Sequence, residues 1–176
     1  MAGSNRIRLF CALRLPDEVL DALCVWQNEH IPGRSVARGN LHVTLAFLGY
    51  RPTEELREIV EATRGAAAAA LPIRLEPVGY RETRSVGMLV LADEGGAATA
   101  LAEDLHGRLE RLGVYRREQR PWLPHLTVVR FRDRPRLEPP IPQLTAFSPS
   151  DAAVYHSVLR SAGAQYNVLE SFALGG

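Results

Sequence analysis

The sequence predicts an α+β fold of two pseudo-symmetric lobes, each with an antiparallel-rich β-sheet and with helices packed outside. The apolar segments come in pairs and runs rather than alternating with helices, and only about three segments have helical spacing. One short motif also occurs twice, 83 residues apart in a chain of 176. We therefore expect a single bilobal domain over residues 1–176.

The composition is that of a globular protein, with 46% apolar and 23% charged residues. A net charge of +1 lacks the basic excess of proteins that hold long nucleic-acid duplexes. The two cysteines, Cys11 and Cys24, lie in apolar stretches without metal-ligand spacing. Neither a signal peptide nor a membrane-spanning stretch is recognisable, so we expect a cytoplasmic protein.

The first half of the chain reads as strand, helix, strand, helix. Ile7–Leu15 is apolar and stops at Pro16, which opens a helix with acidic residues in its first turn. Leu41–Leu48 is predicted as the second strand. Thr53 is placed to cap the next helix, which continues into the alanine tract Ala66–Ala70.

The second half begins with two predicted strands, Ile73–Arg81 and Val86–Leu91, around a short polar turn. A helix with leucines at helical spacing follows and stops at Gly113. His125–Phe131 is predicted as another strand. Three further apolar-rich segments complete the chain: Ile141–Phe147, Ala152–Leu159 and Tyr166–Phe172.

The repeated motif is a histidine followed two residues later by a threonine, each with an apolar residue after it. Because alternate residues of a strand share one face, His42 is expected beside Thr44, and His125 beside Thr127. Two such tetrads arise by chance with a probability on the order of one in a thousand. A pair of half-buried structural histidines is the plain alternative, and the spacing favours a functional pair.

Two histidines and two hydroxyls suit acid–base chemistry on a phosphodiester. With an ordinary pKa near 6.5, one imidazole can accept a proton while the other donates one. Thr44 and Thr127 can donate hydrogen bonds to phosphate oxygens. A metal site would need a third ligand, and no acidic residue or cysteine lies within or beside either motif. We therefore expect neither a metal nor another cofactor.

Together with their surroundings, these motifs resemble the 2H phosphoesterase superfamily, specifically the RNA 2′,3′-cyclic phosphodiesterases that are also called 2′–5′ RNA ligases. The resemblance covers nearly the whole chain. Four segments carry it: Arg8–Leu13, Asn40–Gly49, Arg120–Arg130 and Gly163–Phe172.

The resemblance implies a central cleft with the two motifs facing each other across it. It implies metal-independent hydrolysis of 2′,3′-cyclic phosphates to 2′-phosphates on RNA ends or short oligonucleotides. Independently of the resemblance, we expect a monomer that binds no membrane. By analogy, His42 is the general acid toward the leaving 3′ oxygen and His125 the general base toward water. Arg130 matches a phosphate-binding arginine, although strand parity sets it opposite His125 unless the strand twists, bulges or ends there.

Two other functions stay open. The same fold could act on 2′–5′-linked oligonucleotides or small cyclic nucleotides, or it could be a non-catalytic nucleotide-binding module. The family's aromatic residues are missing from Arg34–Arg38 and from Val86–Leu91. Trp122 either stacks on a base or packs beside the second motif. The other three histidines are expected to be structural or at the surface: His30, His106 and His156.

Overall fold

Residues 5–175, which the computed structural model describes, form seven strands and three α-helices. The strands are β1 (Arg6–Arg14), β2 (Val43–Pro52), β3 (Leu75–Glu82), β4 (Val86–Asp93), β5 (His125–Arg130), β6 (Asp151–Arg160) and β7 (Gly163–Phe172). The helices are α1 (Asp17–His30), α2 (Leu56–Ala69) and α3 (Ala97–Arg111).

The strands form two antiparallel sheets. One has four strands in the order β2-β1-β6-β7, and the other has three in the order β3-β4-β5. This arrangement confirms the predicted α+β class with two antiparallel sheets. Strand β2 directly follows His42, and strand β5 begins with His125. Both are edge strands of their sheets, and they contact each other. The repeated motifs therefore meet where the two sheets join.

Most elements arise where the sequence places them. Pro16 precedes α1 with a φ of −60°, which already suits a helix, and α1 buries Val19, Leu23 and Trp26 on one face. Gly113 ends the segment after α3 with a φ of 72°, where a residue with a Cβ would be strained. Amphipathic spacing and terminal signals are thus sufficient to locate these two helices.

Three sequence expectations need correction. Thr53 caps no helix: it begins a short 3₁₀ turn, and α2 starts at Leu56 without a side-chain cap. Ile141–Phe147 forms no strand: Pro142 removes a backbone donor within it, and only Phe147 bridges to β3. The second strand begins at Val43 rather than Leu41, because the pairing with β1 ends at Val43; Leu41 and His42 connect the strand to a 3₁₀ turn at Arg38–Asn40.

A continuous hydrophobic core connects the two sheets. Leu9 and Leu13 of β1 belong to the same buried cluster as Leu89 of β4 and Leu126 of β5. The apolar residues of all three helices add to this cluster. The supports of the two motifs therefore cannot shift independently without opening packed apolar surface. Among the described residues, no helix is both long and apolar enough to cross a bilayer.

Candidate active site

A cavity of about 590 Å³ opens where β2 and β5 meet. Four of the five predicted site residues line it: His42, Thr44, Thr127 and Arg130. The fifth, His125, begins β5 two residues before Thr127 and is close enough for its charge to affect the pKa of His42. The structure thus brings the two predicted His–Thr pairs and Arg130 to one place.

Both imidazole rings are oriented by backbone carbonyls. The Nδ1 of His42 donates to the carbonyl oxygen of Asn40 at 2.7 Å, and the Nδ1 of His125 donates to that of Leu123 at 2.8 Å. A carbonyl only accepts, so each neutral ring carries its proton on Nδ1. Both Nε2 atoms are then left as the groups that accept or deliver protons.

His42 and Thr44 are already hydrogen-bonded in the structure, with 2.9 Å between Nε2 and the threonine hydroxyl oxygen. The unprotonated Nε2 accepts this bond from the hydroxyl. Aromatic rings surround the imidazole: Phe10 at 4.8 Å between centroids, Tyr166 at 5.4 Å and Tyr155 at 5.9 Å. The cage holds the ring in place and limits its contact with water.

Burial lowers the pKa of His42 to about 4. The hydrogen bond to Asn40 acts in the opposite direction, whereas the positive charges of His125 and Arg130 lower this pKa further. His42 is consequently neutral at physiological pH in the unliganded protein. The same coupling shows that an anion bound between these groups would favour a proton on His42.

Binding of inorganic phosphate at about pH 6 is therefore expected to bring up to one proton onto His42. The anion offsets the charges of His125 and Arg130, so the pKa of His42 rises from about 4. Calorimetry in two buffers of different ionisation heat should detect proton uptake in the wild type and less uptake in His42→Ala. Equal uptake by both proteins would contradict this coupling.

Arg130 reaches the cavity because β5 contains a bulge. Thr127 pairs with Met88 and Val129 pairs with Gly87, so Val128 is an extra residue without a partner on β4. One extra residue changes the parity of side chains along the strand. Arg130 consequently faces the same way as Thr127, as the sequence required for it to approach a phosphate.

Strand β2 contains the matching irregularity. Thr44 pairs with Ala12 and Ala46 with Cys11, so Leu45 is the extra residue. The change of parity turns Phe47, with 49% of its surface exposed, into the cavity. Both motifs therefore have the same spacing: a histidine, a threonine two residues later, and a further cavity side chain three residues after the threonine. This side chain is aromatic in one sheet and cationic in the other.

The sequence reasoning missed several residues that line the cavity. Arg8 lies over the ring of Phe47 at 4.7 Å and donates a hydrogen bond to Ser157. Arg34 and Tyr166 complete the cationic and aromatic lining. The equal spacing from each histidine to Phe47 and to Arg130 was the available signal, and simple strand alternation concealed it.

Trp122 packs beside the motifs and is absent from the cavity lining. Its indole N–H donates to the carbonyl oxygen of Thr44 at 3.1 Å, which links the segment before β5 to β2. His30 lies against Trp26, 6.3 Å between ring centroids. His106 is buried and donates from Nε2 to Leu45 at 2.7 Å. The bond from Trp122 to Thr44 favours packing beside the motif over base stacking for this residue.

The cavity is lined by guanidinium, imidazole, hydroxyl and aromatic groups, with no Asp or Glu among its described lining residues. Over residues 5–175, no three His, Cys, Asp or Glu side chains are grouped so that they could hold a metal ion. The arrangement can bind an anion and exchange protons with it at two imidazoles.

Known proteins are similar to this chain in sequence and in fold. The model of the 2′-5′ RNA ligase superfamily matches residues 15–163. The RNA 2′,3′-cyclic phosphodiesterase of Thermus thermophilus is 32% identical over 181 residues, covering 97% of this chain and 91% of the relative. The Escherichia coli protein of the same name is 28% identical over 170 residues, covering 95% and 96% respectively.

A solved structure agrees. The crystal structure of Escherichia coli LigT in complex with 3′-AMP superimposes with a TM-score of 0.84 at 27% identity, covering 98% of this chain and all of the other. Sequence similarity over nearly the full length and the same fold therefore point in one direction. The chain belongs to the 2′-5′ RNA ligase superfamily of 2H phosphoesterases.

Proposed function

We propose that this chain hydrolyses the 2′,3′-cyclic phosphate at the end of RNA to a 2′-phosphate, without a metal ion. The observation that carries the proposal is the placement of Arg130 and the Nδ1-anchored His42 on one cavity, with the second Nδ1-anchored imidazole, His125, close enough to affect the pKa of His42. The two relatives described above are named for this activity. A strained cyclic diester needs one proton removed from water and one delivered to the leaving oxygen.

In the proposed reaction, the water oxygen forms a bond to phosphorus while the bond from phosphorus to the 3′ oxygen breaks. His125 accepts the proton from the water at Nε2, and His42 delivers one from Nε2 to the 3′ oxygen. The hydroxyls of Thr44 and Thr127 donate to the non-bridging oxygens. For Thr44, this means exchanging its bond to His42 Nε2 for one to the phosphate.

The phosphate anion prepares His42 for the acid role. The pKa of about 4 makes a protonated His42 rare in the unliganded protein at neutral pH. The substrate carries one negative charge, which opposes the positive charge of Arg130, while His125 stays neutral as the base. Substrate binding and protonation of His42 are therefore coupled, and the acid is formed where its proton is needed.

A nucleotide substrate suits the cavity better than a bare phosphodiester. Phe47 exposes half of its surface there, and the Arg8 guanidinium lies over its ring. Aromatic and guanidinium planes are the usual surfaces on which RNA bases stack. The relative bound to 3′-AMP shows that a member of this fold accepts a nucleoside monophosphate.

Phe47→Ala is expected to raise KM for a cyclic nucleotide about tenfold, with a smaller change in kcat, because one stacking contact contributes about 1–3 kcal/mol per base. Steady-state kinetics with the wild type and Phe47→Leu as the apolar control would measure it. An unchanged KM in Phe47→Ala would remove the base from this part of the cavity.

The proposed activity is tested with an RNA that ends in a 2′,3′-cyclic phosphate, incubated with purified protein in EDTA. The position of the product phosphate is read by phosphorus NMR. We expect a 2′-phosphate at an undiminished rate in EDTA. No turnover of this RNA, with turnover of a 2′–5′-linked oligonucleotide or a small cyclic nucleotide, would move the assignment to those substrates. Nucleotide binding without any turnover would indicate a binding module.

A further inference from the structure

Each of the two bulges is held by a buried polar side chain from a helix. His106 of α3 donates from Nε2 to the carbonyl oxygen of Leu45 at 2.7 Å. Gln27 of α1 donates from Nε2 to the carbonyl oxygen of Val128 at 2.9 Å. Leu45 is the extra residue of the first of two bulges in β2, and Val128 is the extra residue of the bulge in β5. Two unrelated side chains thus contact equivalent atoms in the two sheets.

We propose that His106 and Gln27 are positioning residues that hold these bulges and so keep Phe47 and Arg130 turned into the cavity. The inference rests on the proposed function, since it assigns Phe47 to the base and Arg130 to the phosphate. Neither positioning residue is among the residues that line the cavity. Each acts through the strand whose bulge it binds.

The backbone chemistry explains why a donor is needed there. A bulge interrupts the ladder of hydrogen bonds between strands, and a buried carbonyl without a partner costs about 1–3 kcal/mol. Only 2% of Gln27 and 6% of His106 is exposed, so water has little access to these groups. His106 therefore supplies a donor to the Leu45 carbonyl. The Val128 carbonyl also accepts from the backbone N–H of Val36, and the bond from Gln27 adds a direct link between this bulge and α1.

Gln27 has a second contact, with the segment that runs along the outer edge of β5. Its amide also donates to the carbonyl oxygen of Val36 at 3.1 Å, and the Val36 N–H donates to Val128. The backbone N–H of Arg130 itself donates to Arg34 of this same outer segment. Gln27 thereby ties the end of β5 to the segment on its outer edge, immediately beside Arg130.

The connections cross between the halves of the chain. Helix α1 follows β1 of the four-stranded sheet but binds β5, whereas α3 follows β4 of the three-stranded sheet but binds β2. Loss of either helix contact therefore affects the cavity side chain of the opposite motif. Loss of the Gln27 contact is thus expected to displace Arg130, and loss of the His106 contact to displace Phe47.

The test measures binding of inorganic phosphate and of adenosine 2′-monophosphate by calorimetry. Gln27→Met keeps the length of the side chain but has no donor, and it is expected to weaken binding of both ligands about tenfold through Arg130. His106→Leu is expected to weaken the nucleotide about tenfold through Phe47 but to leave inorganic phosphate unchanged. His106→Gln, which restores an N–H donor, should recover most of the nucleotide affinity.

Double variants separate positioning from general stability. In an Arg130→Ala protein, Gln27→Met should cause no further loss, whereas in Phe47→Ala its full effect should remain. The pattern for His106→Leu is the reverse. Thr63→Val is the matched control, because the buried Thr63 hydroxyl bonds only within α2 and to Cys11, away from the cavity. It should lower the melting temperature without changing either affinity.

Additive losses in both backgrounds, or equal losses in Thr63→Val, would overturn the inference. If Gln27→Met does not fold, Gln27→Asn replaces it, since the shorter amide can bind water but cannot reach Val128. Wild-type protein that binds phosphate but hydrolyses no RNA would refute the proposed function alone. The crossed losses in phosphate and nucleotide binding would still decide the positioning roles.

Discussion

Replacing His125 or His42 by Ala is expected to lower kcat for a 2′,3′-cyclic phosphate by about 10²–10⁴-fold, with KM changing much less. Each imidazole moves a proton at Nε2 in the transition state, and its Nδ1 bond to a backbone carbonyl orients the ring for that transfer. Truncation to Ala leaves the transfer to water. Single-turnover kinetics would measure the chemical step directly. The melting temperature of each variant shows whether the fold is retained.

A sulfur leaving group distinguishes the acid from the base. In a cyclic substrate whose 3′ bridging oxygen is replaced by sulfur, the leaving group is a thiolate. A thiol is a much stronger acid than an alcohol, so the thiolate leaves without being protonated. This substrate should recover most of the rate in His42→Ala and little of it in His125→Ala. Recovery in His125→Ala alone would reverse the two roles and keep the pair.

His156→Ala is the matched control for both variants. His156 lies in β6, where it pairs with Leu9, and it is not part of the cavity lining. Its loss should leave kcat within about twofold, as for a substitution away from the reacting atoms. If His42→Ala and His125→Ala also retained full kcat, the proton-transfer pair would have to be sought elsewhere.

Replacing Arg130 by Ala is expected to lower kcat/KM by about 10²–10³-fold, because a preorganised cation beside the phosphate stabilises the charge of the transition state. Arg130→Lys should recover only part of this loss, since an ammonium lacks the planar fork that matches two phosphate oxygens. Steady-state kinetics at two ionic strengths would show whether the lost interaction is with a charged group.

Arg132→Ala provides the control for Arg130. It removes a nearby, exposed arginine that does not line the cavity and so changes net charge equally. We expect it to change kcat/KM less than about threefold at physiological salt, where exposed charges are screened. Equal losses from both substitutions would indicate a general attraction of nucleic acid rather than a specific phosphate contact.

Much of the fold was predictable because it depends on local patterns. The proline before α1, the acidic residues in its first turn and the glycine after α3 mark helix ends in the sequence itself. The α+β class followed from the grouping of apolar segments. Ile141–Phe147 was the misleading case, because its apolar composition resembles a strand while Pro142 lacks a backbone donor for regular pairing.

The site was predictable to the same extent. Two His-x-Thr motifs identified four site residues, because alternation along a strand is a local property that holds over two residues. After each threonine, a bulge interrupts the alternation of side chains along the strand. Phe47 was overlooked, and Arg130 could be placed in the cavity only on the condition of a bulge, which the structure contains at Val128.

The sequence by itself determined the fold class, the family resemblance and the His–Thr pairs, since each depends on residues close together in the chain. Tertiary structure alone decided the register after each motif. That register depends on neighbouring strands and on Gln27 and His106, which lie 101 and 61 residues from the carbonyl groups they bind. A donor so distant leaves no local pattern, so only the folded chain shows which side chains complete the cavity.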